Sequence, residues 1–280
     1  MLGTAQFGMD YGVTNQYGKP STVDAFKVLE CAWEKGIKRF DTAPAYGSEE
    51  LLGEFSRVNG LEREIIILTK VSGLNNSQDF RAELHRSLDL SLQRLRCRIH
   101  TIFLHDTEDS RFVLEDQEFF QEFLKNYQID DLGISVYEPS EVKSIATCGL
   151  ELAYQFPYNV LDRRFERVEM TPGKRYARSI FLQGLLVSSV LSKRNLPTYL
   201  ESFQKKYHEK IEHLGLDPVE LAVATATSSR HIDYVLIGVE NSAQLNEILG
   251  CSLGPTLPAS VRSALLDGYE VLVTDPRRWS

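Results

Sequence analysis

Short apolar runs alternate with helical patterns along this chain. Each run has the length of a buried strand, and the segments between the runs place apolar residues at spacings of three and four, as amphipathic helices do. The alternation gives eight strand-plus-helix units in 280 residues, with no low-complexity linker among them. The sequence therefore predicts an α/β fold, a single (β/α)8 TIM barrel domain over residues 1–280, with its active site at the carboxyl ends of the strands.

The sequence also predicts the bounds of two strands and of the last helix. Residues 2–8 are typical of a strand that runs into a glycine turn. Residues 177–186 favour a strand with Gly184 at its end, and a last helix is predicted from about Pro258 to Tyr269. These limits matter because they decide where the chain crosses the predicted active-site face.

Composition and charge exclude several classes of function. The net charge is −8 and the 31 basic residues are scattered, which argues against nucleic acid as a partner. Cys31, Cys97, Cys148 and Cys251 lie far apart, so we expect free thiols in a reducing compartment and no metal site. No apolar run approaches the ~18 residues of a membrane span, and no signal peptide is evident. We therefore expect a cytoplasmic protein with no membrane partner.

Residues 36–53 carry the strongest functional signal. They are typical of a helix that ends in glycine, a short strand that ends in Asp41, a turn that contains Tyr46, and the start of a new helix. The next two strand-like runs end in Lys70 and His105. Because the carboxyl ends of parallel barrel strands lie on one face, we expect the four side chains to meet there.

The four residue types suit one another chemically. A phenol is a poor acid because its usual pKa is about 10, and a lysine that ends an apolar strand needs a carboxylate partner. We expect Asp41 to keep Lys70 charged beside Tyr46, which would lower the pKa of the phenol. Tyr46 would then protonate a carbonyl oxygen, and His105 would orient that oxygen. Each residue alone reads as an ordinary buried side chain, and it is the combination that indicates catalysis.

In their order and spacing these four residues resemble the catalytic tetrad of the aldo-keto reductases, and residues 36–53 match that family's best-known motif at nearly every position. The resemblance implies the same barrel and an NAD(P)(H)-dependent oxidoreductase. Such an enzyme reduces an aldehyde or ketone to an alcohol by hydride transfer, with Tyr46 as general acid. The resemblance also implies NADP(H) as the default cofactor, no metal, a small-molecule carbonyl or alcohol as partner, and a monomer or homodimer.

The same resemblance implies a set of cofactor contacts. The residues are Gly3, Thr4, Ser135, Gln155, Arg178, Ser179, Phe181, Leu182, Gly184, Gly238, Glu240, Gln244 and Glu247. Ser135 and Gln155 match the residues that bond the nicotinamide amide, although a strand-end glutamine with satisfied hydrogen bonds is an equally good reading of Gln155. Arg178 stands where the family usually stacks an aromatic residue on the nicotinamide ring. Its charge predicts weaker binding of oxidised than of reduced cofactor, unless it simply pairs with an acidic surface residue.

The segment that begins near Gly238 looks like the family's site for the adenosine and its phosphate. A strand, a glycine turn and a helix N-terminus form an anion site on physical grounds alone. NADP-dependent members tend to place Lys, Ser or Arg here, whereas this chain has Gly238, Val239 and Gln244. Glu240 adds a carboxylate, which repels a 2′-phosphate but accepts a hydrogen bond from a ribose hydroxyl. NAD(H) is therefore expected to compete with NADP(H).

Two other functions stay open at this point. A barrel of this family can act as a catalytically weak nicotinamide-binding redox sensor or partner subunit, and Lys70 in an unrelated barrel could form a Schiff base. The residues expected around the mouth of the barrel are Phe7, Asp10, Tyr11, Asp106 and Glu108. Their polarity favours a hydroxylated, sugar-like substrate.

Overall fold

Eight parallel strands form one curled sheet in which the strand order follows the chain. The structure, a computed structural model, describes residues 1–145, 148–170, 172–191, 196–251, 258–266 and 270–279. The strands are β1 (Leu2–Gly3), β2 (Arg39–Asp41), β3 (Ile66–Val71), β4 (Ile99–Leu104), β5 (Asp131–Ser135), β6 (Leu152–Pro157), β7 (Arg175–Arg178) and β8 (Tyr234–Val235). The two edges of the sheet meet at a parallel bridge between Leu2 and Ile237. The predicted (β/α)8 barrel is confirmed.

The helices follow the strands in the expected alternation. Those that the structure describes are α1 (Ala5–Gly8), α2 (Thr22–Glu34), α3 (Glu49–Val58), α4 (Phe80–Leu95), α5 (Arg111–Glu115), α6 (Gln117–Tyr127), α7 (Pro139–Ile145), α8 (Thr198–His213), α9 (Pro218–Thr227), α10 (Ser242–Gly250), α11 (Ala259–Leu266) and α12 (Glu270–Thr274). Side-chain caps mark the starts of α2, α4, α6, α9 and α10; for example, Ser21 Oγ accepts a hydrogen bond from Asp24 N at 3.2 Å. In this part of the chain, no helix has both the length and the apolar character needed to cross a membrane.

Successive side chains of β3 pack in two different apolar layers, one outside and one inside the barrel. On β3, Ile67 packs outward in the layer between sheet and helices. Leu68 belongs instead to a small cluster inside the barrel, together with Phe103 and Tyr176. Lys70 has the same parity as Leu68, so it lies farther along the barrel interior toward the carboxyl ends of the strands. The interior cluster therefore forms the floor beneath the residues described below.

The predicted strand over residues 2–8 is wrong beyond Gly3, because the chain turns into the short helix α1. This turn brings Gly8 against the backbone that carries Tyr46. A Cβ atom on Gly8 would lie 1.8 Å from the Tyr46 carbonyl oxygen, so only glycine permits this packing. The residues of α1, which were predicted to continue the strand, instead support the loop after β2.

The predicted strand over residues 177–186 is wrong beyond Arg178. The next residues leave the extended conformation: Ser179, Leu182 and Gln183 have φ angles of 60°, 49° and 56°. These values lie in the left-handed region, which no strand accommodates. The chain here forms a compact turn across the carboxyl end of the barrel.

The C-terminal tail packs on an apolar cluster that is separate from the barrel core. The predicted last helix appears as α11, while its expected end at Tyr269 lies outside the described residues. Trp279 is buried in this cluster, and its indole Nε1 donates a hydrogen bond to Leu272 O at 3.1 Å. Tyr199 on α8 donates from its hydroxyl to Arg278 O at 3.3 Å. These contacts fix the tail across the barrel mouth.

Candidate active site

A buried ion pair lies at the centre of the site. Asp41 ends β2 and Lys70 lies near the end of β3, and Lys70 Nζ donates to both carboxylate oxygens of Asp41 at 2.7 Å. Lys70 Nζ also donates to Thr42 O at 3.1 Å, and Gln155 Nε2 donates to Asp41 Oδ1 at 2.8 Å. Burial lowers the pKa of Lys70, and the charge of Asp41 opposes that shift. The predicted pairing of the two residues is present.

Tyr46 is held on a short turn after β2. Pro44 begins this turn and Gly47 ends it with a φ of 70°, a conformation that glycine adopts without strain. The Ser48 hydroxyl lies 2.8 Å from the Thr4 hydroxyl and 3.0 Å from that of Thr42, so these contacts tie the chain to the barrel two residues after Tyr46. Gly8 packs against the Tyr46 carbonyl oxygen, so the backbone is supported at Tyr46 itself and just after it.

The structure brings all four predicted catalytic residues together. Lys70 Nζ lies 5.0 Å from the centroid of the Tyr46 ring. The Tyr46 and His105 rings are nearly perpendicular, with their centroids 6.3 Å apart. His105 follows β4 directly, and its backbone N donates to Val71 O at 2.7 Å, so the strand pairing positions it.

The expected lowering of the Tyr46 pKa is wrong. Burial, and next the charge of Asp41, raise the pKa of Tyr46 above its ordinary value of 10.0. The physical reason is that burial strips the ionised phenol of its hydration, and the opposing charge of Arg178 does not offset this cost. Burial also lowers the pKa of His105 to about 4, with Lys70 and Arg178 adding to the shift. At neutral pH, Tyr46 is therefore a protonated phenol and His105 a neutral imidazole.

A cavity of about 500 Å³ opens above these residues. It is lined by most of the predicted site residues, namely Gly3, Asp41, Tyr46, His105, Ser135, Gln155, Arg178, Ser179, Phe181, Gly184, Gly238, Glu240, Gln244 and Glu247. Thr4 and Leu182 do not line it, because both are fully buried. Thr4 instead donates from its hydroxyl to Asp41 O at 2.9 Å, and Leu182 packs in the apolar cluster under the tail. Lys70 lies beneath the wall, against Asp41.

The far end of the cavity is built by the turn after β8 and the start of α10. Gly238 makes room for Gln6, whose side-chain nitrogen would lie 2.3 Å from a Cβ atom at that position. Glu240 N donates to Gln244 Oε1 at 2.8 Å, so the two predicted contacts are held together. Burial raises the pKa of Glu240, and the nearby charge of Asp10 acts in the same direction. Among the described lining residues, this turn and helix supply no cation.

The expected mouth residues are placed differently. Phe7 is fully buried in the core. Asp106 accepts a hydrogen bond from Gly73 N at 2.8 Å, and Glu108 accepts one from Asn75 Nδ2 at 3.3 Å, so these carboxylates join two loops rather than line the cavity. Of this group only Tyr11 reaches the wall.

Sequence reasoning missed several lining residues, and the two that add aromatic or charged groups near the site are Tyr137 and Arg277. Tyr137 follows Ser135 by two positions, and an aromatic residue just beyond a strand end is a signal that could have found it. Arg277 lies in the tail, and no local pattern predicts that the tail reaches the cavity. Within the described ranges, no group of three potential metal ligands is present.

Comparisons with known proteins agree with this geometry. Residues 1–261 match the model of the Aldo/keto reductase family. The chain is 34% identical over 254 residues to L-galactose dehydrogenase from Arabidopsis thaliana, which covers 82% of this chain and 78% of that protein. It is 24% identical over 291 residues to aldo-keto reductase YhdN from Bacillus subtilis (strain 168), with 93% and 88% covered.

Solved structures of aldo-keto reductases share the fold of this chain. The solved structure of aldo-keto reductase AKR11C1 from Bacillus halodurans (holo form) superposes with a TM-score of 0.72 at 21% identity, over 99% of this chain and 94% of that chain. At this identity the likeness shows the shared fold alone. The family match over nearly the whole chain shows membership directly. The chain therefore belongs to the aldo/keto reductase family, as an NAD(P)H-dependent oxidoreductase.

Proposed function

We propose that this protein reduces an aldehyde or ketone to an alcohol, with Tyr46 as the general acid. The observation that carries the proposal is the grouping of Tyr46 and His105 at the wall of one cavity, directly above the Asp41–Lys70 pair.

The residues present fit a nicotinamide. Ser135 and Gln155 line the cavity, and among the described contacts the Ser135 hydroxyl and the Gln155 side-chain oxygen make no hydrogen bond. A carboxamide offers both an acceptor and donors, so these two groups suit it. A bound reduced nicotinamide would supply the hydride for the reaction.

The protein's own residues would handle the oxygen. His105, being neutral, carries one ring N–H that can donate to the carbonyl oxygen and orient it. Once a hydride is added to the carbonyl carbon, its oxygen would carry the negative charge of an alkoxide, which is a far stronger base than a phenolate. The Tyr46 phenol then passes its proton to that oxygen even with a raised pKa, since the oxygen is the stronger base. The resulting phenolate regains a proton from solvent.

Glu240 supports NAD(H) as a cofactor that competes with NADP(H). Its half-buried carboxyl lines the cavity beside Gln244, with no described cation from the same turn or helix to balance a 2′-phosphate. A ribose 2′-hydroxyl could donate to this carboxylate, whereas a phosphate would be repelled. We therefore propose that the protein binds NADH at least as tightly as NADPH.

A hydroxylated, sugar-like substrate fits the lining. Tyr11, Gln6 and Gln183 offer hydrogen-bonding side chains at the cavity wall. The similarity to L-galactose dehydrogenase, a protein named for a sugar substrate, points in the same direction. These two observations support a polar carbonyl compound over an apolar one.

The experiment follows oxidation of NADPH and NADH with a panel of small aldehydes and sugars, using cofactor deuterated at the transferred position. Carbonyl reduction places the label on the carbinol carbon of the product. Cofactor binding without turnover would favour the redox-sensor function, and no cofactor binding would contradict the proposal.

Lys70 as a Schiff-base amine is tested in the same samples. Its ammonium donates to Asp41 and Thr42, which leaves no free amine for attack on a carbonyl. Borohydride trapping should therefore label no lysine, and labelling of Lys70 would favour a reaction through a Schiff base on this residue.

A further inference from the structure

Two arginines contact one aromatic ring at the cavity wall. The guanidinium carbon of Arg178 lies 4.0 Å from the centroid of the Tyr137 ring, and that of Arg277 lies 3.7 Å from it. The three residues come from the end of β7, the segment after β5 and the C-terminal tail, and all three line the cavity. We call this group the arginine clamp.

The clamp carries more positive charge than its partners balance. Arg277 donates from Nε and Nη2 to the buried carboxylate of Asp275 at 2.9 Å and 2.8 Å, which orients the guanidinium. Arg178 donates from Nη2 to Val136 O at 3.2 Å, and no described carboxylate pairs with it. Each guanidinium has five N–H donors, so most of those on Arg178 stay available. The wall therefore offers an unbalanced cation with unused donors.

The clamp also lies near the reacting groups. Arg178 lines the same cavity as Tyr46 and His105. The carboxylates of Glu240 and Glu247 line the same cavity, on the turn after β8 and on α10. An anionic group in the cavity is therefore attracted to the clamp and repelled by these two carboxylates.

Resting on the proposed carbonyl reduction, we propose that Arg178 and Arg277, both stacked on Tyr137, form a subsite for a carboxylate on the substrate. The planar guanidinium of Arg178 can meet a carboxylate through two parallel hydrogen bonds, and its contact with the aromatic ring fixes its position beforehand. Arg277, whose Nε and Nη2 already bind Asp275, adds its charge and its remaining N–H groups. The preferred substrate is then an aldehyde or ketone that bears a carboxylate, and its carbonyl points toward Tyr46.

The test compares two ligands of the same shape, benzoate and neutral benzamide, by calorimetry in phosphate-free buffer with and without bound NADPH. Wild-type protein should bind benzoate about tenfold more tightly than benzamide, and Arg277→Gln should lose about fivefold of that preference. Arg277→Lys, which keeps the charge, should retain part of it. The matched control is Arg278→Gln, because Arg278 also lies near Asp275, at 3.6 Å, but does not line the cavity.

Three results would overturn the subsite. Equal affinities for benzoate and benzamide in the wild type would do so, as would a preference that survives Arg277→Gln in folded protein. A loss of NADPH affinity in Arg277→Gln with unchanged benzoate affinity would assign the clamp to the phosphates of the cofactor. Turnover of methyl 4-formylbenzoate, which has no carboxylate, separately tests carbonyl reduction, so the two proposals can fail independently.

Discussion

The two ends of the cavity are built by different means. At one end Asp41 and Lys70 lie on neighbouring strands, and their side chains are 4% and 1% exposed. Asp41 accepts hydrogen bonds from both Lys70 and Gln155. At the other end and at the mouth, Glu240 and Arg277 lie on turns; Glu240 is half-buried and Arg277 has 49% of its side chain exposed. The reacting groups are fixed by the sheet, whereas selectivity for cofactor and substrate depends on loops.

Strand pairing explains the difference. Asp41 pairs with Leu68 in the register of β2 and β3, and Lys70 lies two residues farther along the same face. A shift of one residue would turn Lys70 to the opposite face, so the core pattern itself fixes the ion pair. The turns after β7 and β8 are not fixed by strand register, so a half-buried side chain such as Glu240 can change with little effect on the barrel.

The largest effect is expected when the buried ion pair of Asp41 and Lys70 is broken. Lys70→Met leaves the Asp41 carboxylate buried without its cation, so the free energy of unfolding should fall by about 3–5 kcal/mol. Urea unfolding measures this loss. The matched control is Lys174→Met, which removes a lysine that pairs with Asp131 at 2.6 Å but is 39% exposed, and it should cost less than about 1 kcal/mol. Similar losses in both variants would contradict the contrast.

A second prediction concerns pH and again singles out the strand end. The folded-state pKa of His105 is about 4, below its ordinary value of about 6.5. Below pH ~6.5 the unfolded chain binds a proton that the folded protein refuses, so stability should fall as pH drops from ~6.5 to ~4, by up to about 3 kcal/mol. His105→Gln should remove this part of the slope in urea unfolding. His213→Gln, on an exposed position of α8, should keep it, and equal slopes in all three proteins would be inconsistent with the buried neutral imidazole.

The smallest expected effect concerns Glu240, on the turn after β8, and tests its part in cofactor selectivity. Glu240→Ser removes the carboxylate next to the proposed adenosine site, so the ratio of NADPH to NADH affinity should rise about tenfold while stability changes little. Fluorescence titration of both cofactors measures the ratio. The exposed residue Glu212 provides the control Glu212→Ser, in which the ratio should not change. A strong NADPH preference in wild-type protein would refute the charge argument.

Much of the strand end could be predicted from the sequence because strands leave local patterns. An apolar run closed by Lys70 or His105 is visible in the residues themselves, and parallel strands necessarily bring such ends together. The direction of the Tyr46 pKa shift was not predictable, because it depends on how deeply the phenol is buried and on the nearby charge of Asp41.

The loop end was predicted less well, for a different physical reason. The turn after β7 contains left-handed residues such as Gln183, which the sequence does not mark with glycine. The contact between Tyr137 and Arg277 joins residues 140 positions apart, and it exists only because the tail is anchored by Trp279 on a separate cluster. No local pattern reports such long-range packing.

The most direct test of the central claim is the rate of a single turnover in Tyr46→Phe with NADPH already bound, followed by cofactor fluorescence. Tyr11→Phe is the matched control, because Tyr11 lines the same cavity and no described hydrogen bond joins its hydroxyl to Asp41 or Lys70. The account predicts that Tyr46→Phe slows the reaction about a thousandfold or more with NADPH affinity within about threefold of wild type, while Tyr11→Phe keeps most of the rate. A Tyr46→Phe protein that reduces the carbonyl within about tenfold of the wild-type rate would contradict the assignment of Tyr46 as the proton donor.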